Sequence, residues 1–421
     1  MLVVPARIIK SCVGLKVSAI PSSSVYNSAI LMHLHKDTLK EKNAIRYFRI
    51  AGNIIFSQVI LLLACIGGGP VSAEDFSIPA NNSLDVMPSS KGMASGNFVA
   101  VPIPISNPTI GSGLQAALLF LHKKKASSED IPNATSGLVG IYTDKATWGA
   151  GLFHDNYLLN DHLRIRAGIG TGEVNLEYYA GSQYDILKNR SFGYSVKGDI
   201  GLLQLQGRIP GTESWYAGTR ATYLGSEVTF DFTELIEFIP EFSVEADLIT
   251  LTLGLTFDNR NDNYYPSSGR FFDIWFGRND SRWGSDAEFN RTTLNYSQYV
   301  PVSSNHIIAV SLNASEVDGD TPFFLKPSLN MRGFVTTKYQ DEAAASAHIE
   351  WRYKFATRWG SMVSYEAGSV GSGLGNLDTL IHSVGAGIRW KIQKDNNLNL
   401  GVDVGVSKDD SAFYIVIGEK F

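Results

Sequence analysis

From Ser346 to the end of the chain, apolar and polar residues alternate with a period of two in one segment after another. Ala347, Ile349, Trp351, Tyr353 and Phe355 alternate with Ser346, His348, Glu350, Arg352 and Lys354, and Val384, Ala386, Ile388 and Trp390 with Ser383, Gly385, Gly387 and Arg389. Leu398, Leu400, Val402, Val404 and Val406 are spaced by Asn399, Gly401, Asp403 and Gly405. The last segment sets Phe413, Ile415, Ile417 and Phe421 against Tyr414, Val416, Gly418 and Lys420. Successive side chains of a strand point to opposite faces, so each segment reads as a β-strand with one apolar face and one polar or bare face. A soluble sandwich would alternate too, but with short loops at both ends. Persistent alternation with long polar loops at one end fits a transmembrane barrel, which needs an apolar exterior, a polar lumen and closure.

The same pattern runs upstream to Gly111. Its clearest instance is Ile249, Leu251, Leu253, Leu255 and Phe257, interleaved with Thr250, Thr252, Gly254, Thr256 and Asp258, leading into the turn Asp258 to Gly269. Barrels of this kind keep short turns on the periplasmic side and long loops outside, with an even strand number. His122 to Thr135, Asp155 to Asp161 and Glu316 to Glu342 are therefore placed outside, and Asp144 to Thr147 inside. The long alternation from Leu163 to Ala180 is divided by an inner turn at Thr171-Gly172, which restores parity. The result is an all-β, 16-stranded antiparallel transmembrane barrel over residues 108–421, in which Glu316 to Glu342 is the sixth outer loop.

The front of the chain reads differently. No stretch approaches the ~20 apolar residues of a spanning helix. Ile54 to Ile66 follows Lys40, Lys42, Arg46 and Arg49 and precedes Val71-Ser-Ala73, the layout of a secretory signal cleaved after Ala73. Met32 is an alternative start, and Leu62-Leu-Ala-Cys65 offers a rival lipoprotein-type cut. Residues 74–107, rich in Ser, Asn and Pro, read as a disordered periplasmic leader too short for an independent domain of at least ~50 residues. Cleavage after Ala73 removes both cysteines and leaves 28 basic against 39 acidic side chains, a net charge of −11. Nucleic acid is an unfavourable partner for such a chain.

Catalytic and metal chemistry find little support. The histidines are scattered, without metal-ligand spacing, and Gly168, Gly170 and Gly172 open no helix. His382 and Ser383, as neighbours on a strand, point to opposite faces and cannot act as a nucleophile and base pair. No cofactor or metal is expected, and no enzymatic activity.

One motif remains. Met331-Arg332-Gly333-Phe334 lies in the sixth outer loop, followed in order by Glu350-Trp-Arg352, Tyr365-Glu366-Ala-Gly368 and the terminal Ile417-Gly418-Glu-Lys-Phe421. This succession resembles the bacterial surface antigen family of outer-membrane β-barrels, the BamA/TamA type. The resemblance implies that the sixth loop folds into the lumen and that Arg332, with Gly333 and Phe334, meets Glu366 on the barrel wall. Where the family pattern has Phe two residues before an Asp, this chain has Ser364 and Glu366. Glu350, Arg352 and Gly368 would support the lumen, and Phe413, Ile415, Ile417, Gly418 and Phe421 would form the C-terminal assembly signal. The implied role is insertion or translocation of protein or lipid at the outer membrane, with a passive pore, receptor or structural barrel as the alternative. Implied partners are outer-membrane lipid, lipopolysaccharide and the barrel-assembly machinery, with the barrel itself a monomer.

Overall fold

A computed structural model describes residues 98–122, 134–179, 191–231, 242–262, 265–378, 380–391, 399–408 and 410–421. The signal segment, Cys65 and the first part of the leader lie outside the described residues. The strands are β1 (Phe98–Asn107), β2 (Gly111–Leu121), β3 (Thr135–Thr143), β4 (Trp148–Leu158), β5 (Leu163–Tyr179), β6 (Ser191–Arg208), β7 (Trp215–Asp231), β8 (Phe242–Asp258) and β9 (Gly269–Asn279). They continue as β10 (Phe289–Pro301), β11 (His306–Gly319), β12 (Ala343–Lys354), β13 (Trp359–Gly373), the two-residue β14 (Asn376–Leu377), β15 (Ile381–Lys391), β16 (Asn399–Ser407) and β17 (Ser411–Ile417). Setting aside β14, which only extends the hairpin after β13, sixteen wall strands pair antiparallel with their sequence neighbours. The barrel is nearly closed, with β17 lying beside β1.

The exterior is apolar, as lipid requires: Leu251, Leu253, Ile349, Val363, Val384 and Val404 are exposed, while Gln204, Arg220, Glu350, Arg352, Glu366 and Asp403 are buried.

Sixteen is the expected number, yet two strands differ from the sequence reading. The first strand begins at Phe98, inside what reads as leader, and β5 is a single strand of 17 residues with no turn at Thr171-Gly172. The two differences cancel in the count. They also exchange the ends of the first hairpins: the β3–β4 turn at residues 144–147 lies on the side of the sixth loop, and β2 and β4 end on the periplasmic side. Thr109, in the β1–β2 turn, accepts a hydrogen bond on Oγ1 from the Thr336 amide at 3.0 Å, which fixes that turn on the outer side.

Both differences have physical causes. Pro102 and Pro104 lack amide protons, but β1 pairs with β2 without a break from Phe98 to Asn107. An unbroken ladder puts both missing donors on the opposite edge, facing β17. Among the described residues no ladder joins β1 to β17, so proline is tolerated where it would otherwise interrupt a sheet.

In β5 to β8 the alternation does not stop; it inverts. Ile169, Gly201, Tyr223 and Ile249 are register partners on the outer face, and the next row outward is Thr171, Asp199, Gly225 and Asp247, followed by Glu173, Lys197, Glu227 and Glu245. The inner face changes in the opposite sense. Arg166, Gln204, Arg220 and Thr252 form one row, and further out Val174, Val196, Val228 and Val244 form another. These strands therefore run past the hydrocarbon into a polar collar with an apolar interior. Phe323 of the sixth loop enters that interior, with ring centroids 5.4 Å from Tyr178, 5.2 Å from Tyr194 and 5.4 Å from Phe230.

Candidate functional site

The tip of the sixth loop meets the inward faces of β12, β13, β15 and β16. Gly333 has φ +84, a left-handed conformation that suits glycine, and the turn it allows presents two donors of Arg332 to one acceptor. The Arg332 amide donates to Glu366 Oε2 at 2.7 Å, and Nη1 to Oε1 at 2.5 Å. Arg332 Nε donates to Asp403 Oδ2 at 3.0 Å. Arg332 is 3% exposed, and Glu366 and Asp403 are fully buried. Charge-assisted bonds of this length between buried ions are among the stronger polar contacts available to a protein.

Close approach is possible because the wall is bare there. A Cβ at Gly405 would lie 2.5 Å from the Gly333 amide nitrogen, and one at Gly385 would lie 3.2 Å from Arg332 Cδ. The Gly333 amide donates to Tyr414 Oη at 2.8 Å, and its carbonyl accepts from Ser407 Oγ at 3.0 Å. Phe334 packs in a small apolar cluster with Leu329, Met331 and Ala344, edge-on to Tyr339. Gly368 leaves room for this cluster, since a Cβ there would sit 2.8 Å from Met331 Sδ.

Sequence reasoning reaches Arg332, Gly333, Phe334 and Glu366, with Glu350 and Arg352 nearby, and misses Asp403, Arg389, Glu419, Lys420 and His348. Arg389 binds Asp403 through Nη1 and, at 3.1 Å, through Nη2, and reaches Glu419 Oε2 at 2.9 Å. Lys420 Nζ donates to Glu366 Oε2 at 3.0 Å and to the Asn330 carbonyl at 3.1 Å. His348 Nδ1 stands 3.2 Å from Glu366 Oε2. Glu350 lies 3.7 Å from Arg332 and 3.7 Å from Arg352, an ion-pair separation rather than a hydrogen bond.

The chain terminus also departs from expectation. Alternation places Phe421 on the apolar face of the last strand, but β17 ends at Ile417 and Gly418, with φ +83, turns the remaining residues inward. Glu419 and Lys420 then join the ionic network. The Phe421 carbonyl accepts from Arg352 Nη2 at 2.8 Å, and its ring lies 5.7 Å from that of His348. Arg352 also donates to the Pro266 carbonyl at 3.3 Å, so the Asp258 to Gly269 turn closes over the same end of the lumen. Phe413 remains on the outer face and exposed.

The family follows from comparison with known proteins. The barrel superposes on BamA from Haemophilus ducreyi lacking POTRA domains 1–3 with a TM-score of 0.53 at 13% identity, covering 77% of this chain and 70% of that one. CdiB from Escherichia coli gives 0.53 at 9% identity, covering 76% of this chain and 62% of that one, and CdiB from Acinetobacter baumannii gives 0.50 at 12%, covering 76% and 59%. This chain thus spans less than two thirds of either CdiB. A search of curated proteins finds no match. Residues 142–421 match the Omp85 superfamily domain. The chain is an outer-membrane barrel and belongs to the Omp85 superfamily.

Proposed function

We propose that this barrel inserts or translocates polypeptide or lipid at the outer membrane, and that its sixth loop is a clamp folded into the lumen to hold one conformation. The observation that carries the reading is the bonding of Arg332, through its amide and side chain, to Glu366 and Asp403 on two wall strands. A passive pore needs no buried ionic junction between a loop and its wall, whereas a barrel with two states needs a contact that distinguishes them. The β1–β17 seam supports the same reading, because a barrel that must open along its wall benefits from one junction without a ladder. Lipopolysaccharide and the barrel-assembly machinery are the candidate partners, and Phe413, Ile415, Ile417, Gly418 and Phe421 are the candidate assembly signal. Depletion of the protein followed by quantification of outer-membrane proteins and lipids tests the proposal. Selective loss of a class of either is expected; an unchanged outer membrane, with ohmic conductance by the refolded barrel, would establish the passive pore instead.

A further inference from the structure

Away from the loop junction, the lumen holds a second charged group that the clamp does not use. A cavity of about 690 Å³, open mouth included, lies between the inner faces of β7, β8, β9 and β10 and beneath Leu325 of the sixth loop. Its deeper end carries Arg220, Thr252 and Asn295, and its outer end is walled by Leu224, Leu248 and Phe289. Two guanidiniums and no carboxylate line it. Arg291 is engaged, donating to the Leu325 carbonyl. Arg220 is pinned but not used up: Nε donates to Gln204 Oε1 at 2.8 Å and the group lies 4.5 Å over the Trp275 ring, while neither Nη has a hydrogen-bond partner among the described residues. Asp273, on β9, is bonded by Asn295 at 2.9 Å and not by Arg220.

We infer that this cavity binds a single-chain anionic amphiphile, its head group on Arg220 and its chain along Leu224, Leu248 and Phe289. A guanidinium held through Nε offers its remaining donors as a planar fork that matches a carboxylate or phosphate. Leu224, Leu248 and Phe289 offer an apolar wall that suits an alkyl chain, with Thr222 and Thr250 between that wall and Arg220. This site is independent of the clamp and of the insertion or translocation reading.

The test uses the full barrel in nanodiscs of zwitterionic lipid, titrated with dodecanoate, dodecyl phosphate and dodecyltrimethylammonium, with binding taken net of empty nanodiscs. Both anions are expected to bind at least tenfold more tightly than the cation, and any preference between them identifies the head group as carboxylate or phosphate. Bromine-labelled dodecanoate should quench tryptophan fluorescence, and Trp275→Phe should remove most of that quenching. Arg220→Gln, in a barrel that still shows heat-modifiable migration, is expected to weaken the anions at least tenfold. Where that variant does not fold, Leu224→Asn should weaken dodecanoate about fivefold. Equal binding of anion and cation, or unchanged affinity in either folded variant, overturns the proposal.

Discussion

Arg332 and Glu366 are joined twice, once through the backbone amide at 2.7 Å and once through the guanidinium at 2.5 Å. Truncating the side chain therefore removes only one of two links. Arg332→Ala is expected to lower the stability of the barrel, since breaking a buried ion pair costs roughly 3–5 kcal/mol. The lower end applies, because Glu366 keeps Lys420 and Asp403 keeps Arg389. The double variant with Glu366→Gln should cost little more than the worse single one, as members of one network are not additive. Heat-modifiability midpoints on gels report the effect; additive losses would show that the residues do not act together.

Lys420 ties the end of the chain to the loop through Glu366 and the Asn330 carbonyl. Lys420→Met should raise protease cleavage within residues 320–342 while leaving assembly yield intact. Removing Phe421 tests a different property: as part of an assembly signal its loss would lower the yield itself.

Glycine positions discriminate sharply. Gly405→Val should displace the loop, because even a Cβ would stand 2.5 Å from the Gly333 amide nitrogen. Gly140→Ala, where a Cβ has nothing within 4 Å, is the control, with an expected change within about 0.5 kcal/mol. Equal effects of the two in thermal melts would refute the close approach of loop and wall.

The collar predicts a positional rule for charge. Leu253→Arg, on the lipid face, should cost about 2–4 kcal/mol if it lies near the bilayer midplane. Ser195→Arg faces outward on the adjoining part of β6, above the boundary row, and should cost close to nothing. Refolding titrations in vesicles compare them, and similar losses would mean that the inversion in β5 to β8 does not mark the edge of the hydrocarbon.

Asp161, in the periplasmic turn between β4 and β5, supplies a pH dependence. Burial pushes its carboxyl up, but hydrogen bonds from Arg164, Tyr216 and Arg208 outweigh that and hold it below the usual value. A depressed carboxyl contributes stability that is complete above its unfolded pKa of about 3.9 and is lost as pH falls through the lower folded value. Asp161→Asn should therefore be less stable than the wild type at pH 7, with the gap closing in strong acid. A gap independent of pH would remove the ionic explanation.

How much of this was legible depends on what each residue answers to. From Ile249 of β8 onward, single-phase alternation made the strands readable, since every lipid-facing position there obeys the same solvent. In β5 the solvent changes partway: Ile165 and Ile169 face lipid, whereas Val174 and Leu176 face the collar interior, so a continuous strand imitates two strands separated by a turn. Pro102 and Pro104 disguised β1 as a linker, because their tolerance depends on a seam that forms only on closure. Arg332 and Glu366 could be found from motif order. Asp403, Arg389 and Lys420 could not, as pairs spanning a closed barrel leave no local pattern; the one available hint was a lone carboxylate between Gly401 and Gly405 on an otherwise bare face.

The inverted rows of β5 to β8 also give assembly a direction in time. Glu173, Lys197, Glu227 and Glu245 reach their place only by crossing the hydrocarbon once, and a charge at its centre costs roughly 2.5–3.5 kcal/mol even on lenient scales. Leaving the membrane would require all four to cross again together with the apolar packing around Phe323. The collar thus behaves as a barb: what keeps this barrel seated is the height of the return barrier, a kinetic property set by residues that contribute nothing to its grip on lipid.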